Sequence, residues 1–269
     1  MKALKHHICF AGMKRHGNHG VINWMISQFS GSIVFRNNAG RFRDLVCTDC
    51  DRLEALSSGD RNPVNLTDPG DKELFLVSYE DKNLDKMYTQ GAKLNKRDWI
   101  QHDIQRITEI ILLRDPFNYF ASRLQGEMNG YFIGDLKFSH PDQKAKLVEM
   151  WKSYCEWFLR FEGQDCRERI AINYNRWLLS RNYRDSICQK LGLENKDDES
   201  RKVISHWGGG SSFSETNHND SSVYLNRWKR FAYHPDFRRL FLDDFVLANT
   251  MRIFGDTLNL DEIRKAVGQ

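Results

Sequence analysis

Short apolar runs alternate with stretches of helical spacing along this chain, and that alternation leaves few architectures open. His7-Ile8-Cys9-Phe10-Ala11, closed by Gly12, has the length and make-up of a buried strand. After a polar loop, Val21, Ile22, Met25, Ile26 and Phe29 repeat at helical spacing in a segment that opens at Gly20. Ser32 to Phe35 reads as a second strand, which completes one βαβ unit. Leu74 to Val77, Glu109 to Leu113 and Arg169 to Asn173 repeat the strand signature. Helical patterns cover Arg97 to Arg106, Phe117 to Gln125 behind Pro116, and His140 to Phe161. Others cover Arg176 to Leu191 before Gly192, and Pro235 to Phe254, with a last short helix from Asp261. Residues 37–72 are a long polar excursion with room for a short helix near Asp51 to Leu56. The expectation is an α/β chain with three layers (α/β/α), a central mostly parallel sheet, and one domain over residues 1–269. Ligands of such sheets bind at the carboxyl ends of the strands.

Charge and composition narrow the partners. Forty basic and 36 acidic residues leave a formal charge of +4, too mild to argue for nucleic acid or a membrane surface. The apolar stretch at the start, Ile8 to Gly12, is too short for a secretory signal. No apolar run approaches the ~18 residues that a membrane span needs. A cytoplasmic protein is therefore expected, a trimmed luminal domain being the other reading. Cys9, Cys47, Cys50, Cys155, Cys166 and Cys188 form no dense framework and read as reduced thiols. Cys47 and Cys50 are half of a zinc site or an ordinary loop pair; no second pair completes them. Nothing in the sequence speaks to oligomeric state.

The loop between the first strand and helix carries the chemistry. Gly12-Met13-Lys14-Arg15-His16-Gly17 has the G-x4-G spacing of a phosphate loop, at the place where such a loop belongs. There, backbone N–H groups and a helix N-terminus face an anion, and Lys14 and Arg15 add positive charge. A nucleotide triphosphatase continues with Lys and then Ser or Thr, whose hydroxyl holds Mg²⁺. Asn18 and His19 stand there instead, so the loop suits a phosphate-like group better than Mg-ATP.

This stretch resembles the 5′-phosphosulfate loop of the sulfotransferase family, (Lys/Arg)-Ser-Gly-Thr-Thr between a strand and a helix. Arg15-His16-Gly17-Asn18-His19-Gly20 keeps the basic residue and the glycine in register; His16 replaces the serine, and Asn18 and His19 the threonines. A second segment, Ile110 to Arg123, resembles the family's 3′-phosphate motif. A strand ends in Arg114, Asp115-Pro116 follows, and Ser122 lies eight residues beyond the arginine. Arginine brings fixed charge and paired donors to a phosphate. Weaker matches are Tyr174, where the family has a tyrosine near the adenine, and the late segment with Ser211, Ser212 and Arg227-Trp228-Lys229.

The resemblance implies a P-loop-NTPase-like sulfotransferase fold. It also implies an enzyme that uses 3′-phosphoadenosine-5′-phosphosulfate (PAPS) as co-substrate and no metal. An acceptor hydroxyl or amine would attack the sulfuryl sulfur in line, with Lys14 or Arg15 neutralising the leaving phosphate. A general base must take the acceptor's proton. Glu80, in Ser78-Tyr79-Glu80-Asp81, is the first candidate and His19 the second; Tyr79 is a poor base because phenols ionise near pH 10. Residues 37–72, 124–140 and 194–222 are expected to shape the acceptor pocket, and their polar content points to a small molecule, glycan or glycolipid. The competing reading is a P-loop-type kinase or a nucleotide-binding protein of the same fold without sulfotransferase activity. Trp151, Tyr154, Trp157, Phe158 and Phe161 lie at core spacing and read as packing.

Overall fold

The computed structural model describes residues 5–31, 33–39, 52–56, 73–90, 105–130, 137, 139–164, 168–196 and 221–267. Six strands form one sheet: β1 His6–Gly12, β2 Ile33–Asn37, β3 Arg52–Leu56, β4 Leu74–Glu80, β5 Arg106–Leu113 and β6 Arg169–Asn173. Their order is β3-β2-β4-β1-β5-β6. Five strands run parallel, and β3 pairs antiparallel with β2 at the edge. The expected α/β architecture with a mostly parallel sheet is thus the one the chain adopts.

The side chains alternate between two cores, as the pleat requires. Cys9, Ala11, Val77, Tyr79, Ile111 and Leu113 face one. Ile8, Phe10, Leu76, Ile110 and Leu112 face the other. α1 (Asn18–Ser27), α4 (Tyr174–Leu179) and α5 (Arg181–Leu191) cover the second face with Val21, Trp24, Trp177 and Ile187. α2 (Pro116–Met128) and α3 (Pro141–Glu162) cover the first. After α6 (Pro235–Arg238), α7 (Asp244–Phe254) and α8 (Leu260–Val267) join that same side. The aromatics of α3 are buried together there, as their spacing predicts.

Three expectations are corrected. The short helix near Asp51 to Leu56 is instead β3. Its Leu, Glu and Ala favour a helix, but β2 would otherwise expose an open edge, and Arg52–Leu56 pairs with it from Ile33 to Asn37. The single helix expected from Arg176 to Leu191 breaks at Ser180, an extended residue whose hydroxyl accepts the Tyr183 N–H at 3.2 Å. The helix expected from Pro235 to Phe254 breaks likewise at Asp243, which caps α7 by accepting the Val246 N–H. Of the helix expected at Arg97 to Arg106, residues 97–104 lie outside the described residues and Arg106 opens β5.

β4 and β5 lie on opposite sides of β1. The connections therefore change direction at β1, and in such sheets ligands bind outside the carboxyl ends of the strands at that point, here β1 and β5. Gly12 and Arg114 both stand there.

Candidate functional site

The loop after β1 is held by three neighbours. The Lys14 N–H donates to Asp81 Oδ1 at 2.9 Å, and Asp81 is ion-paired with the buried Arg123 of α2 at 2.8 Å. The Asn18 amide donates to the Met13 carbonyl at 3.1 Å and to Glu80 Oε1 at 2.8 Å. His16 is fully buried, its Nδ1–H donating to the Leu112 carbonyl at 3.1 Å and its ring edge-on to Tyr119. Burial pushes the His16 imidazole down to about 3, so it is neutral at physiological pH. The His16 side chain is a peg beneath the loop.

Above the peg the backbone turns sharply. Arg15 has φ +74° and Gly17 φ +95°. A Cβ on Gly17 would also lie 2.2 Å from the Tyr174 ring, so glycine is required twice over. Gly17 caps α1 without a side-chain bond. Among the described residues no acceptor meets the N–H groups of Gly17, Asn18 and His19. The Gly20 N–H, by contrast, donates to the Gly17 carbonyl at 3.1 Å, so Gly20 brings no free amide. Three free donors at the positive end of a helix are an anion cradle.

Arginines converge beside that cradle. Arg114, at the end of β5, is 2 % exposed, donates to the carbonyls of Arg15 at 3.3 Å and Tyr224 at 2.9 Å, and lies over the Tyr174 ring at 4.9 Å. Arg227 lies over Tyr224 at 4.8 Å. Burial, and then the neighbouring Arg114 and Arg15, pull the Arg227 guanidinium down to about 10. Guanidinium groups gathered at one corner offer fixed positive charge and paired donors to an anion. The sequence names Arg15, Arg114, Tyr174 and Arg227 separately, and the fold brings them to one corner. Lys14 and Arg15 are half-buried on the loop. Ser122 is buried on α2 beside Arg123. Ser211 and Ser212 lie outside the described residues.

Asn118 escapes the sequence reading. Its amide donates to the buried Asp115 carboxylate and to the Leu225 carbonyl at 2.9 Å, and its Oδ1 accepts the Trp228 N–H at 3.3 Å. It thereby ties the segment carrying Tyr224 and Arg227 to the start of α2. Asp115 also accepts the Asn118 N–H at 2.8 Å as the α2 cap, and burial pushes its carboxyl up.

The other side of the loop is polar and has a different texture. His19 Nε2 bonds Asn37 Oδ1 at 3.0 Å; the Ser78 hydroxyl donates to the same oxygen at 3.0 Å and accepts the Asn38 N–H at 2.9 Å. Asn38 Oδ1 accepts the Glu80 N–H at 3.2 Å. Glu80 at the end of β4 and His19 in the first turn of α1 thus join one hydrogen-bonded network through the end of β2. Tyr79 points into the core and is 1 % exposed. Of the three segments expected to shape an acceptor pocket, most residues lie outside the described ones.

Among the described residues no group of three or more His, Cys, Asp and Glu is placed to hold a metal ion, and no helix is long and apolar enough to cross a membrane. Comparison with protein-family models, with curated proteins and with solved structures finds no match to this chain.

Proposed function

We propose that this chain is a PAPS-dependent sulfotransferase that moves a sulfuryl group to an acceptor hydroxyl, such as that of a sugar or glycolipid. The observation that carries the proposal is the crowding of Arg15, Arg114 and Arg227 beside three free amides of the α1 N-terminus. A donor with phosphate groups at both its 3′ and 5′ ends supplies negative charge to both features. Arg114 and Arg227, each over a tyrosine ring, fit the 3′-phosphate. The loop amides with Lys14 and Arg15 fit the 5′ end.

In the transfer, the acceptor oxygen bonds to sulfur as the sulfur–oxygen bond to the 5′-phosphate breaks. The loop amides and cations oppose the charge that grows on the leaving oxygen. The acceptor's proton leaves to Glu80 or His19. A kinase needs a lysine where Asn18 stands and a Mg²⁺-binding hydroxyl where His19 stands, and Asn18 spends its amide on Met13 and Glu80.

Radiosulfate transfer from PAPS to a panel of glycoside, phenol and amine acceptors tests the reading. Label in a product is the expected result. Tight binding of adenosine 3′,5′-bisphosphate with no transfer to any acceptor would leave a nucleotide-binding protein and remove the enzyme.

A further inference from the structure

Two groups compete for the proton, and their partners differ in kind. Glu80 Oε1 holds the amide of Asn18, which is 4 % exposed and also bonded to Met13. That carboxylate is a brace of the loop through Oε1, which leaves it Oε2 alone for a proton. His19 is anchored differently. Asn37 Oδ1 accepts from the Ser78 hydroxyl, and Ser78 Oγ in turn accepts the Asn38 N–H. That chain of donors fixes Asn37 with its oxygen toward His19. An amide oxygen only accepts, so His19 must carry its proton on Nε2. Nδ1 is left as a lone pair, with no protein partner among the described residues. His19 is also half-buried and sits two residues past Gly17, in the first turn of α1.

On the sulfotransferase reading above, we infer that His19 takes the acceptor's proton and that Asn37 and Ser78 are its positioning residues. The acceptor O–H proton passes to His19 Nδ1. The oxygen's electron pair forms the bond to sulfur, and the pair of the broken sulfur–oxygen bond leaves on the 5′-phosphate. The imidazolium is held by Asn37 until it returns the proton to water. An amide oxygen that orients a histidine base supplies direction without a buried charge.

The test exploits an acceptor that brings no proton. Wild type and variants are assayed with PAPS against a simple alkyl glycoside and against p-nitrophenolate, after titration with adenosine 3′,5′-bisphosphate to verify the donor site. His19→Gln should lose about 100-fold or more toward the glycoside and less than about tenfold toward p-nitrophenolate. If His19→Gln no longer binds the bisphosphate, His19→Asn takes its place. Asn37→Leu should reproduce that split. Asn37→Asp, which keeps an acceptor oxygen, should stay within about tenfold of wild type on the glycoside. Glu80→Gln should not produce the split. Equal losses of His19→Gln on both acceptors, or no loss on either, would overturn the assignment while the sulfotransferase reading stands. A glycoside-specific loss in Glu80→Gln instead would transfer the role to Glu80. Absence of transfer by the wild type to either acceptor overturns the reading itself, and the assignment with it.

Discussion

The two flanks of the loop after β1 are built from opposite materials. On the β5 side are guanidinium groups stacked on tyrosines, one of them, Arg227, pulled down to about 10 by burial and then by its arginine neighbours. On the β2–β4 side, amides, a serine and a histidine satisfy one another. The first arrangement concentrates positive charge at one corner. The second is comfortable alone and holds its members in fixed directions. That contrast is what separate binding and proton-handling jobs require: charge to hold a polyanion, and orientation to aim a base.

The comparison can be broken from the middle, where the largest effect is expected. Asp81 joins the flanks, accepting the Lys14 N–H and pairing with the buried Arg123, and it takes φ +52° to do so. Asp81→Ala leaves the Arg123 charge buried without its carboxylate. Chemical denaturation should show a loss of about 3 kcal/mol. A loss under about 0.5 kcal/mol would mean that the pair does not brace the loop.

A smaller effect sharpens the charged flank. Arg114→Ala should weaken adenosine 3′,5′-bisphosphate more than about tenfold, as loss of charge-assisted bonds predicts. Binding should also become less sensitive to added salt, because screened charge is what was removed. Asn37→Leu should leave that salt dependence as in the wild type. An unchanged affinity in Arg114→Ala would take Arg114 out of the site.

The third effect lies beneath the loop. His16 is held far below the ordinary imidazole value of 6.5, at about 3. Between those values the unfolded chain binds the proton and the folded chain does not. Stability therefore falls as pH drops through that window, by up to about 1.4 kcal/mol per pH unit, and is unaffected by His16 above it. His16→Gln should flatten that part of the stability–pH curve. An equally steep curve in the variant would show that other groups cause it.

The smallest effect is a control remote from both flanks. Ser180→Ala removes the cap that separates α4 from α5 and should cost about 1 kcal/mol, with bisphosphate binding unchanged.

What could be read in advance divides along the same line. The parallel sheet, the loop and Arg114 were legible because each is written in a short stretch: apolar runs, a glycine spacing, a strand ending in arginine. Even Arg227 was named, though its neighbourhood was not. The relations that give the site its character span long separations. Asp81 meets Arg123, Asn118 meets Leu225 and Trp228, and His19 meets Asn37 and Ser78 only because the sheet order brings them together. His16 shows the converse. Its register in the motif was clear, yet a turn with positive φ at Arg15 and Gly17 sends its ring inward, and a motif does not reveal a direction. β3 was missed for a related reason. Its residues favour a helix locally, and the open edge of β2 outweighs them.

On the proposed function, the arginine corner and the α1 amides hold the two ends of one nucleotide bisphosphate without metal. Calorimetry with adenosine 3′,5′-bisphosphate and with Mg-ATP tests it most directly. The account predicts that the bisphosphate binds in the absence of Mg²⁺ and at least about tenfold more tightly than Mg-ATP. Tight binding of Mg-ATP with no affinity for the bisphosphate would contradict it.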